Sequence, residues 1–355
     1  MEVSAPSHDF GVWVRSVDES TVVLEASEPR QDIGHPGTLG LYWEDGYAHI
    51  GEVVEVEALT VTRSFALLNG TLPPTCHQQL LLDCAPVDLE SYAYPKDPSD
   101  RGIAFDDIQF AGPLGSLGAW LVPGGEGTRW AIHVHGWTGE RREAVRFLPV
   151  YAAAGITSMV IDYRNDPGTV HDPTGRYRFG LTEWEDVEAA VRHAASAGAS
   201  EIVLAGYSTG AAHVMSFLEQ SDLRDLVVGV VFDSPNIILA DVVRANTQDA
   251  RFPAINLRMG QLMKEVGLWL ADIRWKIDWD RTNYVQRAEQ TLAVPTLVFH
   301  GTSDQRVPIS VSRQLEARAP EAVTLVETQA AGHVMSWNAN PERYENRLAR
   351  FLDRI

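Results

Sequence analysis

The residue that points most directly to chemistry is Ser208, which stands in a Gly-x-Ser-x-Gly pattern between Gly206 and Gly210. The apolar run 202–204 precedes this pattern, and the helix-like stretch 211–219 follows it. A tight turn between a strand and a helix presents the serine hydroxyl at its tip, beside the backbone N–H groups of the helix N-terminus. Cβ atoms at the two glycines would collide with neighbouring backbone in so sharp a turn. We therefore predict that Ser208 is a nucleophile.

Two partners that such a nucleophile needs follow it along the chain. Asp304 lies in a loop directly after the apolar run 296–300, and His333 lies in a loop after the apolar run 323–326. A histidine can take the proton from a serine hydroxyl, and a carboxylate can orient that histidine and stabilise its cation. The order Ser, Asp, His, with the acid and the histidine each just beyond a strand, predicts a catalytic triad of Ser208, Asp304 and His333.

A fourth segment, 130–137, reads as a strand that ends in His135, Gly136 and Trp137. With the other three segments it resembles the α/β-hydrolase family, in the serine-hydrolase branch that contains carboxylesterases and dienelactone-hydrolase-like and prolyl-oligopeptidase-like enzymes. The resemblance covers roughly residues 101–355. It implies an α/β-hydrolase fold, an oxyanion hole made by the backbone N–H groups of Trp137 and Thr209, and chemistry that needs no metal and no organic cofactor.

The catalytic acid has one rival, Asp233, which follows the apolar run 227–232 at a place where some members of that family carry theirs. Asp304 is preferred because the stretch His-Gly-Thr-Ser-Asp that ends at this residue resembles the acid loop of the esterase and peptidase branches. The other polar residues near these segments are interpreted as structural: His133, His135, Asp162 and His300.

The elements that must position these residues alternate along the chain from residue 101 onward. Strand-length apolar runs alternate with helix-like stretches, which predicts a mostly parallel, doubly wound sheet. The residues from Thr182 to Glu185 match a capping box at the start of the second helix. The predicted strands are 105–111, 117–122, 130–135, 157–162, 201–205, 227–232, 296–300 and 323–328, and the predicted helices are 142–153, 183–197, 209–220, 310–318 and 341–353.

The chain before this domain is patterned differently. Short β-type runs separated by turn signals such as Asn69-Gly70 predict a small β-rich N-terminal unit over residues 1–100, with the hydrolase-like domain at 101–355. We interpret this unit as packing and shielding the larger domain. The alternative is that it forms one wall of the substrate cleft or an oligomer contact.

About sixty residues separate the strands that end at 232 and begin at 296, which is too many for a simple crossover. We predict a helical cap insertion at about 235–290. An aromatic-rich cap would suit an apolar or aromatic substrate, whereas the alternative is that its tryptophans only pack the insertion onto the core. The candidates for the substrate pocket are Trp269, Trp275 and Trp279 of this insertion and Tyr207 of the serine turn.

The charge of the chain restricts its partners, because a net charge of −19 over 355 residues would repel nucleic acid and anionic membranes. The first residues lack the basic start and apolar core of a secretory signal, and no apolar run is long enough to span a bilayer, so we expect a cytoplasmic protein. The two cysteines, Cys76 and Cys84, are expected to be reduced thiols, with a local disulfide as the alternative. A homo-oligomer is left open.

The sequence therefore predicts a serine hydrolase, and within that class a carboxylesterase that cleaves small to medium apolar esters through an acyl-enzyme on Ser208. The alternatives are an amidase or peptidase, a thioesterase or an acyltransferase with the same triad, or a hydrolase-like protein that binds a small molecule without catalysis. A complete set of Ser, Asp and His favours the enzyme, because ligand binding alone does not require all three.

Overall fold

Two β-sheets organise the chain, and the computed structural model describes them within residues 11–26, 33–76, 85–246, 265–266, 269 and 277–355. The first sheet is antiparallel, with the strand order β1-β2-β5-β4-β3-β6. We call it the N-terminal unit. Its strands are β1 Val12–Val17, β2 Thr21–Ala26, β3 Leu39–Trp43, β4 Gly46–Val56, β5 Thr60–Gly70 and β6 Asp88–Glu90.

The strands of this unit follow the period of two that a half-buried sheet requires. In β2 the buried positions are Val22, Leu24 and Ala26, and they alternate with partly exposed residues. The turn predicted at Asn69-Gly70 is wrong, because these residues end β5, a strand that the sequence does not predict, opposite the start of β4.

The second sheet has eight strands in the order β14-β13-β12-β11-β9-β10-β8-β7. The six from β14 to β10 in this order pair in parallel, and β8 and β7 form an antiparallel edge. This pairing confirms the predicted mostly parallel sheet. Each predicted strand end lies within two residues of the observed one. The strands are β7 Asp106–Ala111, β8 Ser116–Val122, β9 Arg129–Val134, β10 Thr157–Ile161, β11 Glu201–Tyr207, β12 Val227–Asp233, β13 Thr296–Gly301 and β14 Val323–Thr328.

Helices cover both faces of this sheet, which is why its central strands are apolar along nearly their whole length. One buried cluster joins the sheet to α2 and α3, and a second joins the opposite face to α1 and α8. The helices are α1 Leu148–Ala153, α2 Trp184–Ser196, α3 Gly210–Gln220, α4 Leu239–Asn246, α5 Ala288–Thr291, α6 Ser310–Arg318, α7 Ser336–Ala339 and α8 Pro341–Leu352.

Two helix predictions need correction. The helix predicted at 142–153 is a 3-10 turn, Arg141–Ala144, followed by α1, and Pro149 lies in the first turn of α1, where its missing N–H costs nothing. The capping box predicted at the start of α2 does not form. The carboxylate of Glu185 instead accepts a hydrogen bond from Arg164 Nη2 at 2.9 Å, and Thr182 Oγ1 has no hydrogen-bond partner among the described residues.

About half of the predicted cap insertion at 235–290 lies outside the described residues. Within it the structure describes residues 235–246, which include α4, residues 265–266 and 269, and residues 277–290. In the part of the chain that the structure describes, no helix is long and apolar enough to cross a membrane. Cys76 is disulfide-bonded, so the expectation of a reduced thiol there is wrong.

Candidate active site

Ser208 lies in the turn between β11 and α3, with a φ of +50°, which non-glycine residues rarely adopt. The turn is closely packed, since a Cβ at Gly206 would lie 2.7 Å from Ala211 Cα and one at Gly210 would lie 2.1 Å from the Val134 carbonyl oxygen. Ser208 N–H donates to the carbonyl of Asp233 at 2.9 Å, and its own carbonyl accepts from Asn236 N–H at 2.9 Å. These contacts hold the serine at the carboxyl end of the sheet.

The structure brings Ser208, His333 and Asp304 together in one line of hydrogen bonds. His333 Nε2 lies 2.8 Å from Ser208 Oγ, and His333 Nδ1 lies 2.8 Å from Asp304 Oδ2. The other carboxylate oxygen of Asp304 accepts from the backbone N–H groups of Arg306 and Val307, both at 2.9 Å. In this arrangement Nδ1 donates to the carboxylate, so Nε2 is left to accept the serine proton.

The environment of Asp304 keeps it charged although its side chain is fully buried. Burial alone would raise its pKa, but His333 and His300 outweigh burial and hold the pKa of this carboxyl well below its ordinary value. His300 also lies 2.7 Å from Ser312 Oγ through Nδ1 and 3.0 Å from the Val307 carbonyl through Nε2. His300 therefore holds the acid loop, as its structural interpretation requires.

The rival acid, Asp233, lies at the end of β12 and does not contact His333. Its side chain is buried and approaches Ser234 Oγ at 3.3 Å. Burial raises the pKa of Asp233 to about 8, although Arg146 opposes this shift. A carboxyl that is mostly protonated at neutral pH cannot supply the negative charge that an imidazolium needs.

The segment with the predicted oxyanion residue lies directly against the serine. A Cβ at Gly136 would lie 2.9 Å from Ser208 Cβ, so only glycine leaves room there. Within the described residues, the backbone N–H groups of Trp137 and Thr209 donate to no backbone carbonyl. Thr209 also directly precedes α3, where the helix N-terminus favours negative charge.

The peptide between Gly136 and Trp137 is held from its carbonyl side. Gly136 O accepts from His135 Nδ1, Tyr163 OH and Gly139 N, each at 2.9 Å. Because a trans peptide is planar, with its carbonyl and N–H pointing in opposite directions, these donors also fix the direction of the Trp137 N–H. The sequence suggests no role for Tyr163, although its position just after β10, at the carboxyl edge of the sheet, is the one signal for it.

His135 is a cation within this network. Its second nitrogen, Nε2, lies 2.9 Å from Asp166 Oδ2, so both ring nitrogens face oxygen acceptors and both must donate. Burial would lower the pKa of His135, but the Asp166 carboxylate outweighs burial and raises it to about 9. His133 is also structural, with its ring nitrogens 2.9 Å from Tyr207 OH and 3.1 Å from Ser158 Oγ.

Among the described residues, one group of side chains has the spacing of metal ligands, namely His135, Asp162 and Asp166, with ligand atoms within 4.8 Å of one another. His135 is held as a cation, and Arg141 Nε lies 3.1 Å from Asp162 Oδ1. Burial raises the pKa of Asp162 to about 6, although Arg141 opposes this shift. Positive charge is thus already supplied at this group by the protein, which agrees with the structural interpretation of Asp162.

Unusual backbone conformations gather around the site. Thr138, Ser208, Ser234 and Val334 have φ angles of +54°, +50°, +49° and +51°. Val334 follows His333 directly, and its N–H donates to Ser234 Oγ at 3.0 Å. For a β-branched residue such a φ is a marked outlier that the surrounding contacts must maintain.

The pocket candidates differ in where the structure places them. The prediction that Tyr207 lines the substrate pocket is wrong. Its ring stacks on Phe147 in the core, with ring centroids 5.0 Å apart, and its side chain is buried. It is the last residue of β11, where side chains alternate between the two faces, and it points into the core. Trp269 is 60% exposed, Trp279 is half-buried, and Trp275 lies outside the described residues.

Comparison with known proteins assigns the chain to a family. Residues 131–347, more than half of the chain, match the model of the alpha/beta hydrolase family. The chain therefore belongs to that family, and this membership supports a hydrolase. Residues 13–74, within the N-terminal unit, match the model of a domain of unknown function.

Particular relatives are distant in sequence. The chain is similar to the uncharacterized protein YfhR of Salmonella typhi, with 25% identity over 252 residues that cover 68% of this chain and 77% of that protein. The same protein of Salmonella typhimurium is 25% identical over 259 residues, covering 70% and 81%. Among solved structures, the esterase Pf2001 of Pyrococcus furiosus superposes with a TM-score of 0.56 at 19% identity, covering 73% of this chain and 96% of that one, which shows a shared fold.

Proposed function

We propose that the protein is a serine hydrolase of the carboxylesterase type, with Ser208 as nucleophile, His333 as general base and Asp304 as the acid of the triad. The observation that carries the proposal is the unbroken line of two 2.8 Å hydrogen bonds from Ser208 through His333 to a charged, buried carboxylate. Nothing in ligand binding alone requires this line.

In the first half of the reaction, Ser208 Oγ attacks the ester carbonyl while His333 Nε2 takes its proton. The negative charge that develops on the carbonyl oxygen is stabilised by the N–H groups of Trp137 and Thr209. His333 then gives the proton to the leaving alcohol, and the acyl group remains on Ser208. Asp304 stabilises the imidazolium throughout.

In the second half, His333 takes a proton from water, and the resulting hydroxide attacks the acyl-enzyme at the same carbonyl carbon. The tetrahedral intermediate again places its oxygen charge at Trp137 and Thr209. Its collapse breaks the bond to Ser208 Oγ, which recovers its proton from His333. Acid is released and the enzyme returns to its starting state.

An ester is the substrate that this proposal favours, and the esterase whose fold the chain shares supports it. The half-buried Trp279 and the exposed Trp269 offer aromatic surface in the segment between β12 and β13. We therefore propose that the acyl or alcohol group is apolar and of small to medium size.

The decisive experiment is covalent labelling with a fluorophosphonate probe, followed by mass spectrometry of the labelled peptide. We expect the label on Ser208 and none in Ser208→Ala. Ser196→Ala, at an exposed serine near the end of α2, is the control that should label like the wild type. Label that persists in Ser208→Ala would overturn the assignment.

A panel of aryl esters of graded acyl length, with one anilide of matched acyl group, tests the substrate class. The proposal expects hydrolysis of the shorter esters and little of the anilide. Faster cleavage of the anilide would move the protein to the amidases with the same triad.

A further inference from the structure

One loop of the N-terminal unit lies against the loop that carries His333. We call residues 33–38 the 33–38 loop and residues 329–338 the histidine loop. Thr38 N–H donates to the Asn338 carbonyl at 2.9 Å, and Asn338 Nδ2 donates back to the Thr38 carbonyl at 2.6 Å. A Cβ at Gly37, where φ is +89°, would lie 1.8 Å from Asn338 O. The two backbones are therefore in direct contact.

The 33–38 loop is held rigidly from within its own unit. The guanidinium of Arg63 is fully buried and donates to the carbonyls of Ile33 at 3.0 Å, His35 at 2.7 Å and Gly37 at 2.6 Å. The same side chain donates through Nε to Gly51 of β4 at 3.1 Å. Hydrogen bonds from a charged donor are stronger than neutral ones, so the loop presents a fixed surface.

The histidine loop is held from the hydrolase side by Arg146, which is also buried. Its Nη1 donates to the carbonyl of Val334 at 3.0 Å and to that of Ser91, near β6, at 2.9 Å. It also donates to the side-chain oxygen of Asn338. Asn338 Nδ2 contacts Ser91 as well, at 2.8 Å. The residue after His333 and the N-terminal unit thus share one buried set of hydrogen bonds.

The 33–38 loop also lies beside Gly332, the residue just before His333. A Cβ at Gly332 would lie 2.8 Å from His35 Nε2 and 2.9 Å from Met335 Sδ. The end of the His35 ring therefore occupies the space beside the backbone from which the His333 side chain projects. The φ angle of Gly332 is not in the left-handed region, so a side chain at this position is excluded only by contact with its neighbours.

We propose that the 33–38 loop of the N-terminal unit positions His333, with His35 as a positioning residue that acts through Gly332. The proposal rests on the proposed function, because it concerns the aim of the proposed general base. It gives the N-terminal unit a role in the reaction. The triad hydrogen bonds depend on the position of the His333 backbone, and a misplacement of about 1 Å can cost on the order of 10²-fold in rate.

A double-mutant cycle tests this contact. The variants are Gly332→Ala, His35→Ala and the two together, with Gly127→Ala as control, because a Cβ at Gly127 would meet its nearest neighbour at an ordinary 3.4 Å. We measure kcat and KM for an aryl ester, the rate of covalent labelling at Ser208, and Tm.

Gly332→Ala in the wild type should lower kcat and the labelling rate by about 30- to 100-fold with little change in KM, because the histidine loop must move to make room for the new Cβ. In the His35→Ala background the ring is gone, and the flexible end of the Met335 side chain can move away from the new Cβ, so the same change should cost less than about threefold. His35→Ala alone should lower kcat by about threefold, since the loop loses this side chain and keeps the hydrogen bonds that Arg63 and Asn338 make with its backbone. Gly127→Ala should match its background in every measurement.

An equal loss of kcat from Gly332→Ala in both backgrounds would overturn the proposal. So would a rescue by His35→Ala that restores Tm and leaves kcat low, since that result assigns the contact to stability alone. If the Gly332→Ala variant does not fold on its own, a double mutant that folds and is active supports the proposed contact, whereas a double mutant that also fails to fold contradicts it. A wild-type protein that is never labelled at Ser208 contradicts the proposed function before any variant is compared.

Discussion

Two buried aspartates at neighbouring strand ends, Asp304 and Asp233, have opposite protonation behaviour. Asp304 contacts two histidine rings and two backbone N–H groups, which together outweigh its burial. Asp233 has one weak hydrogen bond, from Ser234, and Oδ2 has no partner among the described residues. The identity of the contacts, and not the depth of burial, decides which of them can serve His333.

This difference predicts the ranking of two matched substitutions. Asp304→Asn keeps the shape of the side chain, favours the wrong imidazole tautomer and removes the charge that stabilises the imidazolium, so kcat should fall by about 10⁴-fold at neutral pH. Asp233→Asn, outside the proton-transfer line, should stay within about tenfold of the wild type. Both are assayed on folded protein of verified Tm, and the reverse ranking would make Asp233 the acid.

The raised pKa of Asp233 also predicts a pH dependence of stability. In the unfolded chain this carboxyl loses its proton near its ordinary 3.8, whereas in the folded protein it keeps the proton up to about 8. The folded state binds more protons in this window, so the Asp233 contribution to stability is fully present below about pH 4 and falls as the pH rises towards 8. Asp233→Asn cannot ionise and should lose less Tm than the wild type between pH 5 and pH 8.

Thermal unfolding at several pH values in this range measures the effect. Asp18→Asn is the control, because hydrogen bonds from Ser20 and Thr21 hold the pKa of exposed Asp18 at about 2, well below the window. It should keep the wild-type slope of Tm against pH. A wild-type slope in Asp233→Asn would mean that this carboxyl is ionised when buried.

At the scale of elements, the loop after β9 depends on the loop after β10. Tyr163 OH donates to Gly136 O, and this carbonyl belongs to the same peptide as the Trp137 N–H. Tyr163→Phe keeps the ring and removes one of three donors, so the N–H should be less well fixed. We expect kcat to fall by about tenfold with KM unchanged. This loss is smaller than the loss of about 10²- to 10³-fold that follows when an oxyanion-hole donor is removed completely.

Tyr284→Phe is the matched control for this variant, because Tyr284 is also buried and its hydroxyl donates to a backbone carbonyl, that of Phe179, at 2.9 Å. It should change stability and leave kcat close to that of the wild type. If the two variants lose the same kcat, the Gly136 carbonyl does not govern catalysis.

The strands of the eight-stranded sheet could be predicted because most of them are apolar runs bounded by turn residues, and because strands covered by helices are apolar on both faces. Position-specific hydrogen bonds could not. Thr182 and Glu185 match a capping box, yet the Glu185 carboxylate accepts from the distant Arg164 guanidinium, and Thr182 Oγ1 has no partner among the described residues. The role of Tyr163 could not be predicted for the same reason, since no local sequence pattern shows that its hydroxyl donates to the carbonyl of Gly136. The prediction that Tyr207 lines the pocket is wrong because spacing in the chain does not determine which face of β11 a side chain takes.

At the scale of the whole molecule, Asn338 links the two sheets through Thr38 on one side and Arg146 on the other. Asn338→Ala leaves buried carbonyls and part of a buried guanidinium without partners, so we expect a loss of about 2–4 kcal/mol in the free energy of unfolding. Asn340→Ala, which removes the N-cap of α8, should cost about 1 kcal/mol.

Urea unfolding followed by circular dichroism and by tryptophan fluorescence measures both variants. The wild type should unfold in one transition by both probes, because the shared hydrogen bonds couple the sheets. In Asn338→Ala the two probes should separate. A loss no larger than that of Asn340→Ala, with coincident transitions, would show that the sheets do not depend on this residue.

The left-handed backbone at Thr138, Ser208, Ser234 and Val334 has a consequence for how such a sequence drifts over generations. A non-glycine residue in this conformation costs about 1–3 kcal/mol, so glycine at any of these positions would relieve strain. A lineage that no longer used the site would therefore be free to gain stability by such substitutions.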